Sequence, residues 1–351
     1  MTTDADALTE RLFSDAIGSF DLAGVYLGDR LGWYASLEAD GPATPDELAT
    51  RTGTDSRYAR EWLEQQAVAG ILAADGDGRF RLPAGHEDVL VDPTSLNQMA
   101  PLARMVVAAF GQLPALVEAY RTGEGIGWER YGHDMREGQA GMNRPAFTHL
   151  LGGEWLPGIP DIHRRLQSDP PAQVLDVACG EGWSSIAIAT AYPNARVVGI
   201  DLDAPSISAA KEHAAAAGME TARLEFRHAD AADAEGPFDV ALIVEAVHDM
   251  SDPVSVLATV RRSLAADGSL IVADERVAEQ FSAPGDDIER FMYGWSITVC
   301  LPDGRSRTPS VATGTVIRPE TMRRYASDAG FAGVEVLPIE NDFFRFYRLR
   351  P

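Results

Sequence analysis

Lysine is almost missing from this chain. Lys211 is its single lysine, and lysine and arginine together number 30 against 53 acidic residues in 351, a formal net charge of −23. A balance of that sign opposes binding to nucleic-acid phosphates or to an anionic membrane. Cysteine is nearly as scarce: Cys179 and Cys300 offer neither a disulfide framework nor metal-ligand spacing, so no metal is expected. No apolar run approaches the ~20 residues that span a bilayer. The opening MTTDADALTE lacks the cationic and apolar regions of a signal peptide. These absences lead to the expectation of a cytoplasmic protein that binds neither nucleic acid nor membrane. What is present is of ordinary globular composition, 45% hydrophobic and 24% charged, and the chain is long enough for two cores.

The most informative stretch is QVLDVACGEGWSSIAIATAYPNARVVGID, residues 173 to 201. Gln173 to Val177 is a short apolar run of the kind that forms a central parallel strand covered on both faces. Gly180 and Gly182 then remove side chains where the chain must turn sharply and a ligand must approach the backbone. A helix from about Trp183 points its free N–H groups at the same place. Arg196 to Ile200 forms the next strand, and Asp201 at its carboxyl end can accept both hydroxyls of a ribose. This is a βα unit suited to an adenosine-containing cofactor.

Two cofactor classes share that geometry. A dinucleotide site needs a third glycine for close helix–strand packing around a pyrophosphate, and Ser185 stands at that position. Asp176 brings a carboxylate toward the cofactor, awkward beside a pyrophosphate and suitable beside a sulfonium or α-amino group. S-adenosylmethionine therefore fits better than NAD. Further strands follow at Leu224 to His228, Phe238 to Val244 and Ser269 to Ala273, closed by Asp230, Glu245 and Asp274 respectively. A short link joins Val334–Leu337 to Phe343–Tyr347, which suits an antiparallel pair.

Residues from about 165 onward resemble a class I S-adenosylmethionine-dependent methyltransferase. Asp176 through Gly182 match the family's first motif, Asp201 its ribose acid, Asp230 its adenine-side acid and Glu245 the position after the fourth strand. The closing antiparallel pair resembles the reversed last strand that separates this family from dehydrogenases. Ala178 stands where the commonest motif form has its first glycine. The resemblance implies an α/β Rossmann-like sheet with a terminal antiparallel strand, with Asp176, Ala178, Gly180, Gly182, Asp201, Leu202, Asp230, Ala231 and Glu245 around the cofactor. It also implies S-adenosylhomocysteine as product.

The first hundred residues read as a separate module. Thr44-Pro45-Asp46-Glu47 is a capping box with proline at the first helical position, opening a helix that Gly53 stops. Asp55 caps a second helix ending at Gly70, and a turn at Asp75 to Gly78 joins the arms of a hairpin. Helix, helix and hairpin make a winged helix. From Ala43 to Leu82 seven acids outweigh five arginines, which argues against DNA and against a regulator that senses the cofactor. The architecture resembles small-molecule methyltransferases whose N-terminal winged helix builds a homodimer. Leu8, Leu12, Phe13, Ile17 and Phe20 suit such an interface or a core equally. The expected domains are 1–105 for the winged helix, 106–165 for a helical linker and pocket segment, and 166–351 for the cofactor domain with a lid-like insertion at 277–315.

Two aromatic segments are candidate pocket walls: Trp128, Tyr131 and Trp155 in the linker, and Phe291, Tyr293 and Trp295 in the insertion. VEAVHDMSDP resembles the part of plant and bacterial O-methyltransferases where a His-Asp pair supplies the base, with Met250 in place of their tryptophan. His248 is thus the expected catalytic base for a hydroxyl acceptor on a partly aromatic small molecule; His133 is a weaker candidate.

Overall fold

The computed structural model describes residues 4–219 and 221–351. It divides into two compact units: the chain up to Ala108 together with Glu137–Pro145, and Ala109–Arg136 together with Ala146–Pro351. Among the described residues no single helix is long and apolar enough to cross a membrane.

The first unit opens with α1 (Asp4–Arg30), followed by α2 (Trp33–Ala39), α3 (Pro45–Thr52) and α4 (Ser56–Val68). The capping box at Thr44 and Glu47 is present in full, and Asp55 accepts from the amides of Arg57 and Tyr58 at the start of α4. These side chains satisfy amides that have no partner inside the helix. The hairpin pairs β1 (Ala73–Ala74) with β2 (Phe80–Arg81). Trp33, Tyr34, Leu48, Trp62 and Leu63 form the centre of the core. Gly28 of α1 is required there, because a Cβ on it would lie 2.4 Å from the Trp62 ring.

The second unit is a seven-stranded sheet. Its strands are β3 (Gln173–Val177), β4 (Arg196–Asp201), β5 (Leu224–His228), β6 (Phe238–Val244), β7 (Leu264–Glu275), β8 (Gly333–Val336) and β9 (Phe344–Arg350). They lie in the order β5-β4-β3-β6-β7-β9-β8. β3 to β7 run parallel, while β9 pairs antiparallel with both β7 and β8. The expected fold and reversed final pair are both found. β7 starts earlier than Ser269 because Leu264 already pairs with Phe238 across a register shift.

Alternation along the strands feeds two cores. Val174, Leu242 and Phe346 join one; Leu175, Val177, Ile243 and Tyr347 join the other. Each buried apolar side chain adds roughly 1.5–3 kcal/mol. Strand order reverses at β3, whose neighbours β4 and β6 carry the chain in opposite directions. In open sheets of this kind such a switch point is where a ligand-binding crevice forms, at the carboxyl ends of the strands.

Candidate cofactor and acceptor site

The turn after β3 is built on left-handed backbone: Ala178 has φ 57°, Gly180 52° and Gly182 84°. For alanine this conformation costs about 1–2 kcal/mol, so the surrounding structure must hold it. Three bonds do so. The Cys179 amide donates to the Ile200 carbonyl (3.1 Å), Gly182 to the Cys179 carbonyl (2.9 Å) and Gly180 to Asp201 Oδ2 (2.8 Å). Gly182 has no alternative side chain, since a Cβ would lie 2.6 Å from the Phe226 ring. Beside Gly180 the space is open.

Asp201, at the tip of β4, is held from both sides, because its Oδ1 also accepts from the Asp203 amide at 2.8 Å. A carboxylate has about four acceptor positions, so both oxygens retain capacity for ribose hydroxyls. Burial raises its pKa against the pull of those amides. Asp203 is in turn clamped by Arg136 through bonds of 2.7 and 2.8 Å. Leu202 beside it is exposed. Asp230 accepts from the Ala232 amide and so caps the short helix Ala231–Asp233 at the tip of β5. Glu245, at the tip of β6, takes φ 51° and donates its amide to the Ala273 carbonyl.

Asp176 is placed differently from a group facing a ligand. Its side chain is buried, and one oxygen accepts from the hydroxyls of Ser184 (2.6 Å) and Ser185 (2.5 Å). Burial pushes its pKa up to about 6 despite the serines. It ties the strand to the first turn of the following helix. Ser185, whose size weighed against a dinucleotide, thus also has a structural task that the sequence reading missed.

On the other side of the crevice His248 is 3% exposed. Its Nδ1 lies 2.6 Å from Asp274 Oδ1. A carboxylate there can only accept, so Nδ1 carries a proton and Nε2 is the ring nitrogen that gains or loses one. Asp249 Oδ1 faces Nε2 at 3.3 Å, without the alignment of a hydrogen bond. The Cys300 thiol completes the cluster, and burial pushes it up to about 12. Burial disfavours the imidazolium, but Asp249 and Asp274 outweigh it and hold the His248 pKa well above its ordinary value. Glu275 is likewise raised well above a normal carboxyl, first by burial and then by the charge of Glu245. Asp274 was legible as a strand-end acid; its contact with His248, and that of Cys300, were not.

The two aromatic segments meet. The Ile126 amide donates to the Pro302 carbonyl (2.9 Å), the Trp128 amide to Asp303 Oδ1 (2.8 Å) and the Tyr131 hydroxyl to the Thr298 carbonyl (2.7 Å). Phe291 packs edge-on against Trp295 with 5.7 Å between ring centroids, and Phe291 and Tyr293 are exposed. Tyr131 is buried with its hydroxyl committed to that carbonyl, so it braces the insertion. Trp155 stands apart as a correction to the expected pocket set. It is 3% exposed and wedged between Phe147, Phe344 and Phe346 in the core beside the sheet. His133 is exposed.

Comparison with known proteins adds to this geometry. Residues 168–297 match the family described as Methyltransferase domain, and residues 23–92 match the Rv2258c-like winged HTH domain. Among curated relatives, an O-methyltransferase of Pyrenophora dematioidea is 32% identical over 117 residues, covering 32% of this chain and 43% of that protein. O-methyltransferase SfmM3 of Streptomyces lavendulae is 27% identical over 251 residues, covering 68% and 72%. The chain thus spans less than half the length of the first of these relatives and nearly three quarters of the second. Among solved structures, LaPhzM superposes with a TM-score of 0.74 at 20% identity, covering 98% of this chain and 99% of that one. Human N-acetylserotonin methyltransferase in complex with SAM gives 0.68 at 18% identity, covering 100% and 99%. At these identities the superpositions establish the fold. The chain therefore carries a methyltransferase domain behind a winged helix-turn-helix domain.

Proposed function

We propose that this chain, a methyltransferase domain joined to a winged-helix domain, transfers the methyl group of S-adenosylmethionine to a hydroxyl of a small, partly aromatic acceptor. The observation that carries the reading is the pairing of two groups at one sheet edge: the Asp201 carboxylate, seated on two backbone amides beside the glycine turn, and the His248–Asp274 dyad. The O-methyltransferase names of the curated relatives and the SAM-bound structural neighbour support it.

In this reading Asp201 takes the ribose hydroxyls, Asp230 and Ala231 lie on the adenine side, and Ala178, Gly180, Gly182, Leu202 and Glu245 line the remaining contour. The acceptor oxygen attacks the methyl carbon in line with the departing sulfur. A C–O bond forms as the C–S bond breaks, the hydroxyl proton passes to His248 Nε2, and S-adenosylhomocysteine leaves. Alignment in a dry cleft supplies most of the acceleration, about 7–11 kcal/mol where geometry is near ideal. The base contributes about 10²–10⁴. Trp128, Phe291, Tyr293 and Trp295, on the segment from 277 to 315 and its partner from 126 to 131, form the acceptor-side lid.

The winged helix serves assembly in this reading. Two of the five arginines between Ala43 and Leu82 are engaged with acids inside the module, Arg79 with Glu47 and Arg57 with Glu61. Leu8, Leu12, Phe13, Ile17 and Phe20 are all exposed along α1, an apolar stripe that a second copy of the chain would cover. Calorimetry with S-adenosylhomocysteine, NAD and duplex DNA tests the class. Heat with the first alone is expected, and DNA binding without nucleoside binding would overturn the reading. Light scattering tests the assembly: a dimer is expected, and Phe13→Glu should yield monomers.

A further inference from the structure

The cluster around His248 holds more than a base. In the neutral ring Nε2 presents a lone pair, since Nδ1–H is committed to Asp274. Facing it at 3.3 Å is Asp249 Oδ1, a buried oxygen with no hydrogen-bond partner. With the ring neutral these two electron-rich atoms repel each other unless a cation lies between them; a proton on Nε2, which Asp249 and Asp274 favour, is one such cation and a metal ion is another. Cys300 Sγ closes the third side, and the three candidate ligand atoms all lie within 4.8 Å of one another. The Asp249 side chain keeps 28% of its surface, so one side of the cluster remains approachable.

We propose that His248 Nε2, Asp249 Oδ1 and Cys300 Sγ form a binding site for a zinc-like divalent cation. The donor set is one imidazole, one carboxylate and one thiolate, the mixture that borderline-soft cations select over magnesium or calcium. Three protein ligands with an open side match the pattern of a tetrahedral site that keeps a fourth position for water or ligand. Asp274 supplies the outer contact that metal-bound histidines almost always have: a carboxylate accepting from the other ring nitrogen and fixing its orientation. Binding removes the thiol proton and the proton on Nε2 where the ring is charged, both released to solvent as the metal–sulfur and metal–nitrogen bonds form. Because the cation takes the lone pair assigned to the base, occupancy stops proton abstraction; this consequence rests on the proposed function, whereas the site itself does not.

Cobalt(II) is the probe, added to the full-length wild-type protein freed of metal by chelation. A sulfur-to-cobalt charge-transfer band together with tetrahedral ligand-field bands is expected, displaced by equimolar zinc. Cys179→Ser should retain the band and Cys300→Ser should lose it, while Asp274→Asn should weaken binding about 10–100-fold. Absence of the band in wild type, or its persistence in Cys300→Ser, overturns the proposal, and wild-type spectra decide the first point even if a variant fails to fold. Zinc binding with an unchanged methylation rate would leave the site standing and remove His248 as base. A zinc-insensitive spectrum with His248-dependent methylation would do the reverse.

Discussion

The two flanks of the crevice are finished to different degrees. On the β4 flank Asp201 has both oxygens on backbone amides, and its neighbour Asp203 is bonded to Arg136. On the β7 flank three buried carboxylate oxygens, Asp249 Oδ1, Asp274 Oδ2 and Glu275 Oε2, have no hydrogen-bond partner. A buried acceptor left in that state costs about 1–3 kcal/mol. One flank is a seat whose shape is settled by the chain itself; the other holds concentrated negative charge around one imidazole, an arrangement suited to gripping and releasing a cation or proton.

The largest expected effect lies on the settled flank. Asp201→Ala removes an acceptor from two amides and, in the proposed reading, from the nucleoside, and should weaken S-adenosylhomocysteine binding roughly 10²–10⁴-fold, at about 1.5–3 kcal/mol for each of two charged hydrogen bonds. Calorimetry giving unchanged affinity would erase the contrast between the flanks.

On the charged flank, His248→Ala should lower kcat by about 10²–10⁴ with nucleoside affinity retained. The pH profile separates a base from a packing residue. Neutral imidazole is the active form, and Asp249 and Asp274 raise its pKa, so the rate should climb with pH toward a plateau above the ordinary histidine range. Asp274→Asn withdraws one of the raising charges and should move that limb to lower pH. An unmoved limb would assign the titration to another group.

A smaller effect concerns Asp176. Its folded pKa of about 6 lies above the ordinary aspartate value of about 3.9, so its contribution to stability is full below the unfolded value and lost as pH rises through about 6. The loss amounts to at most roughly 3 kcal/mol for a shift of this size. Denaturation of Asp176→Asn between pH 4 and 7 should show a flatter stability curve than wild type.

The contrast also explains what could be read from residues alone. The β4 flank is local: strand, glycine turn, helix and terminal acid occur within thirty consecutive residues, and short-range backbone needs dictate their types. Strand positions were legible for the same reason, each apolar run having one sheet to enter. The β7 flank draws on residues 248, 274 and 300, whose meeting depends on sheet order and on the path of an irregular insertion. No periodicity encodes that. Trp155 misled because a tryptophan in a connector looks the same whether it faces a ligand or Phe346. Asp176 was expected to face the cofactor; its bonds to Ser184 and Ser185 in the first turn of the following helix were not legible, because hydroxyls there usually signal only exposure.

Ala178 carries a methyl group through a bend that glycine would take without strain. The unfolded loop has fewer conformations to lose than a glycine loop would have, and the folded loop has fewer to explore. In the proposed reading, a nucleoside settling against it meets a cradle already rigid, and less of its binding energy goes into ordering protein. Ala178→Gly should relax the backbone yet slacken the grip, so that thermal tolerance and affinity part company at a single carbon atom.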